Sequence, residues 1–293
     1  MSRCSSSCWV HCGIPSPPPC RISFLSLVDH LKRLNITHHE VVTSTSDLAA
    51  EAARNNAPEG TAFRGDIQTR GRGRHGRDWS SPRGNLYLSV ILRPDRPMAE
   101  WGSLSLMAAI ALHDAMTRFR DRGRASLKWP NDILLDDRKC AGLLLEIVDG
   151  AVILGCGVNC MDAPEDVTGW MAGSLNQDAA DPAISPDQLL EALEISLLAR
   201  YNDWHSGGFD HLRQHWIDAA AHIGDEISLD LGQGKVMTGV FETIGSDGSL
   251  LLRGQDGGIT AIQAGDVLRA RPEGTETQGG KQNPEGADHA AGD

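Results

Sequence analysis

Lysine is scarce in this chain, with five in 293 residues, and there is no run of eighteen or more apolar residues. A membrane-spanning helix needs about twenty such residues, so none is predicted. The first twenty residues lack the continuous apolar core of a secretory signal. Net positive charge is missing too. The formal net charge is -12, which argues against general binding to nucleic acid or to a membrane surface, both of them polyanions. No internal repeat stands out. Cys4, Cys8 and Cys12 match no familiar zinc spacing and no His pair follows them, so no metal-ligating set is predicted. The seven cysteines are odd in number and fit no disulfide framework. That pattern suits a reducing cytoplasm, with Cys140, Cys156 and Cys160 as small apolar fillers rather than nucleophiles.

What is present divides the chain into parts. Residues 1–20, with Pro17-Pro18-Pro19 and four cysteines, read as a disordered leader. Ile22 to Leu34 is a candidate amphipathic helix, and the globular body begins near Val41. Ser46 or Asp47 is placed to cap a helix that Asn56 to Gly60 stops. Thr61 to Gln68 and the apolar "NLYLSVIL" from Asn85 to Leu92 read as strands. Trp101 to Arg120 has helical length, with an apolar stripe at Leu104, Met107, Ala111 and Met116. Four strands follow between Ser126 and Val158, with Asp136-Asp137 and Asp149-Gly150 as turns, and then helices at Pro186 to Ser206 and in "FDHLRQHWIDA". The fold class is therefore α+β, a mixed and mostly antiparallel sheet backed by helices, over residues 21–222. Five short strands with glycines at their joints predict a small β-barrel at 223–270, and residues 271–293 read as a disordered tail.

Against the acidic background one stretch is anomalous. Between Arg64 and Arg83 six arginines face only Asp66 and Asp78, and "QTRGRGRHGRDWSSP" alternates Gly71, Gly73 and Gly76 with Arg72, Arg74 and Arg77. Glycine lets backbone N–H groups turn toward a ligand, and guanidinium offers a planar fork for phosphate or carboxylate. The loop reads either as a mobile anion clamp, open until a ligand folds it over, or as an RNA-binding Arg/Gly segment. Downstream, Lys128 opens "KWPNDILLDDRKCAGLLLE" at a strand end.

Together these segments resemble the bacterial biotin protein ligases, or biotin–[acetyl-CoA-carboxylase] ligases. The resemblance runs from about Val41 to Arg269 through "STSD" (44–47), the arginine loop with "NLYLS", the "KWPND" segment and "GCGVNC" (155–160). It implies a class II synthetase-like catalytic domain and an SH3-like C-terminal domain, in the form without an N-terminal DNA-binding domain. It also implies a two-step, AMP-forming reaction. Biotin and ATP, with Mg²⁺, give biotinyl-5′-adenylate and pyrophosphate, and a lysine of a biotin carboxyl carrier domain then takes the biotinyl group.

Residue roles follow from the same resemblance. Lys128 is the catalytic ammonium beside the reacting phosphate, and Arg74 retains the adenylate until the acceptor arrives. Ser44, Thr45, Ser46 and Gln68 match polar contacts to biotin, a neutral urea that needs paired donors and acceptors. Ser46 stands where the family commonly has Asn. Gly71, Arg72, Gly73 and Arg74 belong to the loop around biotin. Gly142 and Gly157 are expected to let it approach the backbone. Arg72, Arg74, Arg77, Trp79, Lys128, Asn131, Asp132 and Asn159 are assigned to the nucleotide. Arg77 otherwise pairs with Asp78, and Trp79 otherwise packs in the core. Asn131 and Asp132 are also candidates for Mg²⁺.

Three rival readings are distinguishable. A lipoate ligase shares the fold but carries a different glycine-rich signature. A biotin-responsive repressor needs a helix-turn-helix, for which Ile22 to Leu34 offers one helix only. A dinucleotide fold needs a G-x-G-x-x-G spacing that "GCGVN" lacks. No nucleic-acid or membrane partner is expected, and the sequence leaves a homodimer open.

Overall fold

Strand β3 (Leu86–Leu92) is buried at every position, as its unbroken apolar run requires of a strand covered on both faces. It lies third in a seven-stranded sheet of order β1-β2-β3-β7-β6-β5-β4. The strands are β1 (Asn35–Val42), β2 (Thr61–Gln68), β3, β4 (Ala125–Lys128), β5 (Asp132–Leu135), β6 (Arg138–Val148) and β7 (Ala151–Val158). Only β1 and β2 run parallel; the other neighbours are antiparallel. This computed structural model describes residues 30–121, 124–164, 170–177 and 183–268. The leader at 1–20, the tail at 271–293 and the start of the helix expected at Ile22–Leu34 lie outside the described residues. His30 to Leu34 are not helical.

Alternation along β3 sorts the two faces of the sheet. Leu86, Leu88, Val90 and Leu92 join a core with α2 (Leu104–Met116), α3 (Pro186–Gly207) and α4 (Asp210–Ala219). Ile91 instead meets Ala49, Ala50 and Ala53 of α1 (Thr45–Arg54) on the opposite face. Helix α2 is shorter than expected, because Met98–Ser103 forms a 3-10 turn that contains Trp101. It is also buried nearly all round, so its apolar stripe is the visible part of a wholly apolar helix. Helix α3 starts with a capping box: the Ser185 hydroxyl accepts from Gln188 N, and the Gln188 side chain accepts from Ser185 N. Helix α1 begins earlier than expected, with Ser44 at its N-cap and Ser46 and Asp47 inside the first turn.

Beyond α4 lies a second sheet, fully antiparallel, of order β11-β10-β9-β8-β12. Its strands are β8 (Glu226–Asp230), β9 (Val236–Ile244), β10 (Leu250–Arg253), β11 (Ile259–Ile262) and β12 (Asp266–Leu268). The expected five short strands are all present, in an arrangement consistent with an SH3-like domain. This sheet is fastened to the first body. Trp216 of α4 packs against Phe241 at 6.4 Å, Trp129 Nε1 donates to Gly248 O at 3.1 Å, and Arg213 Nε donates to Ile244 O at 2.6 Å.

Candidate active site

On the α1 face of the large sheet the side chains shrink toward one end. Along β7 the inward positions run Ile153, Gly155, Gly157, and their partners on β6 are Glu146, Leu144 and Gly142. Removing side chains there opens a cleft of about 950 Å³ that runs across the strands from Ser89 on β3 to Lys128 on β4.

The β3 end is polar and neutral. Gln68 Oε1 accepts from Thr45 N at 2.9 Å and from Thr45 Oγ1 at 3.1 Å, while Gln68 Nε2 donates to Ser81 Oγ at 3.0 Å. Ser89 Oγ lies 2.8 Å from Thr45 Oγ1 and 3.0 Å from Ser46 Oγ. Ser44 lines the same space, and its side chain makes no capping bond to the helix that it begins. At Gly155 a Cβ would stand 3.0 Å from Ser46 Oγ and crowd that hydroxyl.

The β4 end is charged. Lys128 and Asp132 face each other across the β4–β5 hairpin, whose turn contains a cis Trp129–Pro130 peptide. Lys128 Nζ donates to Asp132 Oδ2 at 3.0 Å, and Lys139 Nζ lies 2.8 Å from Asp132 Oδ1. Lys128 is only 5% exposed. Burial opposes ionisation of Asp132, but the two ammonium groups outweigh it and hold the carboxyl well below the usual carboxylate range. Lys128 also sits 5.2 Å from the ring centroid of Trp170, whose Nε1 donates to Val267 O at 3.3 Å. Asn131 Nδ2 donates to Leu143 O at 2.5 Å.

The arginine loop is a small hairpin closed over this end rather than an open flap. Arg72 and Asp78 form an antiparallel bridge, Gly73 N donates to Arg77 O at 2.7 Å, and the tip turns through His75 and Gly76 at φ 56° and 72°. Gly71 is fixed by crowding: a Cβ there would come within 2.5 Å of Trp79 O and of Ser81 Oγ. The guanidinium groups have carboxylate partners. Arg72 bonds to Asp47 and, at 3.0 Å, to Glu146. Arg74 NH1 lies 2.7 Å from Asp266 Oδ1 and 3.2 Å from Asn131 Oδ1; Arg77 NH2 lies 2.7 Å from Asp266 Oδ2. Arg77 thus pairs with Asp266, not with its neighbour Asp78.

Trp79 lies over the glycine floor. A Cβ at Gly157 would stand 2.7 Å from its Nε1, and one at Gly142 would stand 3.0 Å from its ring. The close approach expected at these two glycines is made here by an indole. Its Nε1 is buried without a hydrogen-bond partner, and Lys139 Nζ stands 5.6 Å from its ring centroid. Asn159 departs from expectation. It borders a separate pocket of about 290 Å³ on the other side of Trp79, and its Nδ2 donates to Gly173 O at 3.1 Å. The remaining predicted residues, Ser44, Thr45, Ser46, Gln68, Arg72, Gly73, Arg74, Arg77, Trp79, Lys128, Asn131, Asp132, Gly142 and Gly157, all line the large cleft. Gly71 supports it from behind.

Charge is concentrated there. Five cations line the cleft against three carboxylates, in a chain whose formal net charge is -12. Such a site favours an anion at one end and a neutral polar group at the other. Residues 39–160 match the model of the Biotin/lipoate A/B protein ligase family. The chain is 35% identical over 216 residues to the biotin--[acetyl-CoA-carboxylase] ligase of Paracoccus denitrificans, covering 69% of this chain and 87% of that protein. This chain belongs to the biotin protein ligase family. It is also 34% identical over 246 residues to the bifunctional ligase/repressor BirA of Bacillus subtilis (strain 168), covering 80% of this chain and 73% of that protein. The solved biotin protein ligase of Aquifex aeolicus in complex with biotin and ATP aligns with a TM-score of 0.68 at 27% identity, over 80% of this chain and 97% of that one.

As a biotin protein ligase the chain also brings to the cleft residues that sequence reasoning did not single out, among them Ser89, Lys139, Trp170 and Asp266. Ser89 carried a signal, since a hydroxyl in an otherwise apolar strand asks for a buried partner. Lys139, one of the five lysines, carried another. Trp170 and Asp266 carried none, because they arrive from segments distant in sequence.

Proposed function

We propose that the chain joins biotin to ATP and passes the biotinyl group to a lysine of a biotin carboxyl carrier domain. The carrying observation is the polarity of the cleft. The hydroxyl and amide groups of Ser44, Thr45, Ser46, Gln68 and Ser89 suit the ureido ring. The floor of Gly142, Gly155 and Gly157 leaves room for the apolar body of the vitamin. Its carboxylate then points toward Lys128 and the arginine hairpin.

In the first step a biotin carboxylate oxygen attacks the α-phosphorus of ATP, and the bond to the bridging oxygen of pyrophosphate breaks. Negative charge builds on the phosphoryl oxygens. Lys128, already desolvated and held by Asp132, offers a fixed ammonium to that charge without reorganising. Arg72 exchanges its carboxylate partners for phosphate, which Arg binds in the same forked geometry, while Arg74 and Arg77 stay tied to Asp266 and turn their remaining N–H groups to the phosphate. Trp79 offers an aromatic face for the adenine, displaced from the glycine floor where its Nε1 lacks a partner. In the second step the acceptor amine attacks the acyl carbon and AMP leaves. Magnesium would enter on the nucleotide's phosphates. Both oxygens of Asp132 already face lysines, so Asn131 and Asp132 do not by themselves build a magnesium cage.

The catalytic unit is assigned to residues 21–222 and the accessory unit to 223–270, whose Asp266 reaches the hairpin. Burial raises the thiols of Cys156 and Cys160 to about 12, consistent with inert fillers in a reducing cytoplasm. A homodimer would have the exposed edge strand β1 to pair through, since β4 is already bridged by Ala220 and Ala221, and sedimentation velocity reads it directly. The test of the activity is biotin-dependent ATP–pyrophosphate exchange, followed by mass gain on one lysine of a carrier domain. Exchange driven by lipoate but not by biotin would overturn the reading.

A further inference from the structure

Lys128 is buried, and an ammonium acts on a reacting phosphate only as well as its position is held. Asp132 holds it at 3.0 Å but shares its carboxylate with Lys139. The Trp170 ring is a second support, with its centroid 5.2 Å from Lys128 Nζ, within cation–π range. Trp170 belongs to no helix and no named strand, so its own place depends on what it packs against.

His222 stands against that indole. The two ring centroids are 5.6 Å apart and their planes are tilted by 52°, a usual distance for packed aromatic rings. His222 lies in the joint between α4 and β8 and does not line the cleft. The same joint grips the strand that carries Lys128: Ala220 bridges Leu127, and Ala221 N donates to Leu127 O at 2.8 Å. His222 thus reaches Lys128 by two routes, through the backbone of Leu127 and through the indole of Trp170.

We propose that His222 is a positioning residue for Lys128, acting through Trp170 and touching neither substrate nor the reacting atoms. The role rests on the reading that Lys128 acts in adenylate formation.

Three observations separate this role from ordinary packing. The His222 backbone has φ 68°, a left-handed conformation that costs free energy for a residue with a Cβ and persists where its surroundings impose it. Here they do. Asp225 N donates to His222 O at 3.1 Å, Gly224 N to Phe241 O at 2.8 Å and Phe241 N to Asp225 O at 2.9 Å, which pins the turn to β9. Next, His222 Nδ1 lies 3.3 Å from Asp225 Oδ2, a contact that sets the rotation of the ring. Last, His222 Nε2 is buried with no hydrogen-bond partner, a cost that phenylalanine would avoid. Phenylalanine would fill the same space, but no polar atom would fix its angle. The imidazole combines a flat face for the indole with one nitrogen that orients it. Trp170 Nε1 also donates to Val267 O of β12 at 3.3 Å. The indole is therefore seated on the joint and on the small sheet together, and it passes their placement to Lys128.

The test is a double-mutant cycle in the full chain, read by biotin-dependent ATP–pyrophosphate exchange. His222→Asn keeps a residue that tolerates the left-handed backbone and removes the ring. Asp225→Ala, at an exposed position, keeps the ring and releases its rotation. With Lys128 present, His222→Asn should lower kcat about tenfold and Asp225→Ala about threefold, with KM for biotin and for ATP within about twofold of wild type. In a Lys128→Ala background neither substitution should lower exchange further, because the ammonium that they position is gone. Unfolding temperatures show which variants are folded, and if His222→Asn is not, Asp225→Ala carries the cycle. Unchanged kcat in the folded variants, or equal losses with and without Lys128, would overturn the role of His222. Full exchange in Lys128→Ala alone would instead remove the assignment of Lys128 beneath it, so the two failures are told apart.

Discussion

Lys128 and Asp132 show how a single pair can serve both folding and chemistry. The carboxylate holds a buried ammonium in place at the charged end of the cleft, where the proposed reaction develops phosphoryl charge. Lys128→Ala should lower biotin-dependent pyrophosphate exchange roughly 10²–10³-fold, about 3–4 kcal/mol, by analogy with loss of one oxyanion donor. A loss confined to the KM for biotin would show that Lys128 binds without acting in the transition state. Asp132→Asn instead leaves two ammonium groups beside a neutral amide, and the unfolding temperature should fall, with stability lost by about 3–5 kcal/mol. The sign of the pH effect follows from the depressed carboxyl. The Asp132 contribution is complete above the ordinary carboxylate range and disappears only as pH falls through the lowered value. Wild type and Asp132→Asn should therefore converge in stability toward strongly acid pH, and a constant gap across acid titration would contradict the linkage.

Elements were legible from sequence where local pattern and tertiary role coincide. Strand β3 is an unbroken apolar run, the Asp149-Gly150 turn has both φ values positive, and α3 opens on Ser185-Pro186. Strand β1 lies mostly before Val41, where the body was expected to begin, because its "NITHHEVV" is mostly exposed and sends only Ile36 against the main core. The 3-10 turn before α2 was read as helix because Trp101 continues the apolar spacing. Within the site, the arginine and lysine motifs were local and visible. The closure of the hairpin was not, since its partner Asp266 is 192 residues from Arg74. Glycine in β7 belongs to this scale as well. Gly157→Ala would force the Trp79 indole away from the floor and narrow the cleft, so affinity for biotin or ATP should weaken by about tenfold, roughly 1.4 kcal/mol. Isothermal titration of the variant checks this, and unaltered affinity for both ligands would remove the glycine's role.

At the scale of the whole molecule, the small C-terminal sheet completes the cleft. Asp266 holds Arg74 and Arg77, and Val267 O holds Trp170 over Lys128. The arginine hairpin is thus tied to a part of the chain that comes late in the sequence. Asp266→Ala should release biotinyl-adenylate faster and raise biotinylation of bulk protein lysines, and Arg74→Gly should do the same more strongly. Quantifying free adenylate by mass spectrometry during turnover decides it: no increase in either variant would show that retention does not depend on the tie.

The central claim is that Lys128 and the arginine hairpin jointly surround the phosphate of activated biotin. A crystal structure with a non-hydrolysable biotinyl-adenylate analogue tests it most directly. The account predicts the phosphate within hydrogen-bonding reach of Lys128 and of Arg72 or Arg74, with the ureido ring beside Thr45 and Gln68. An analogue bound elsewhere, with these guanidinium groups turned to bulk solvent, would contradict it.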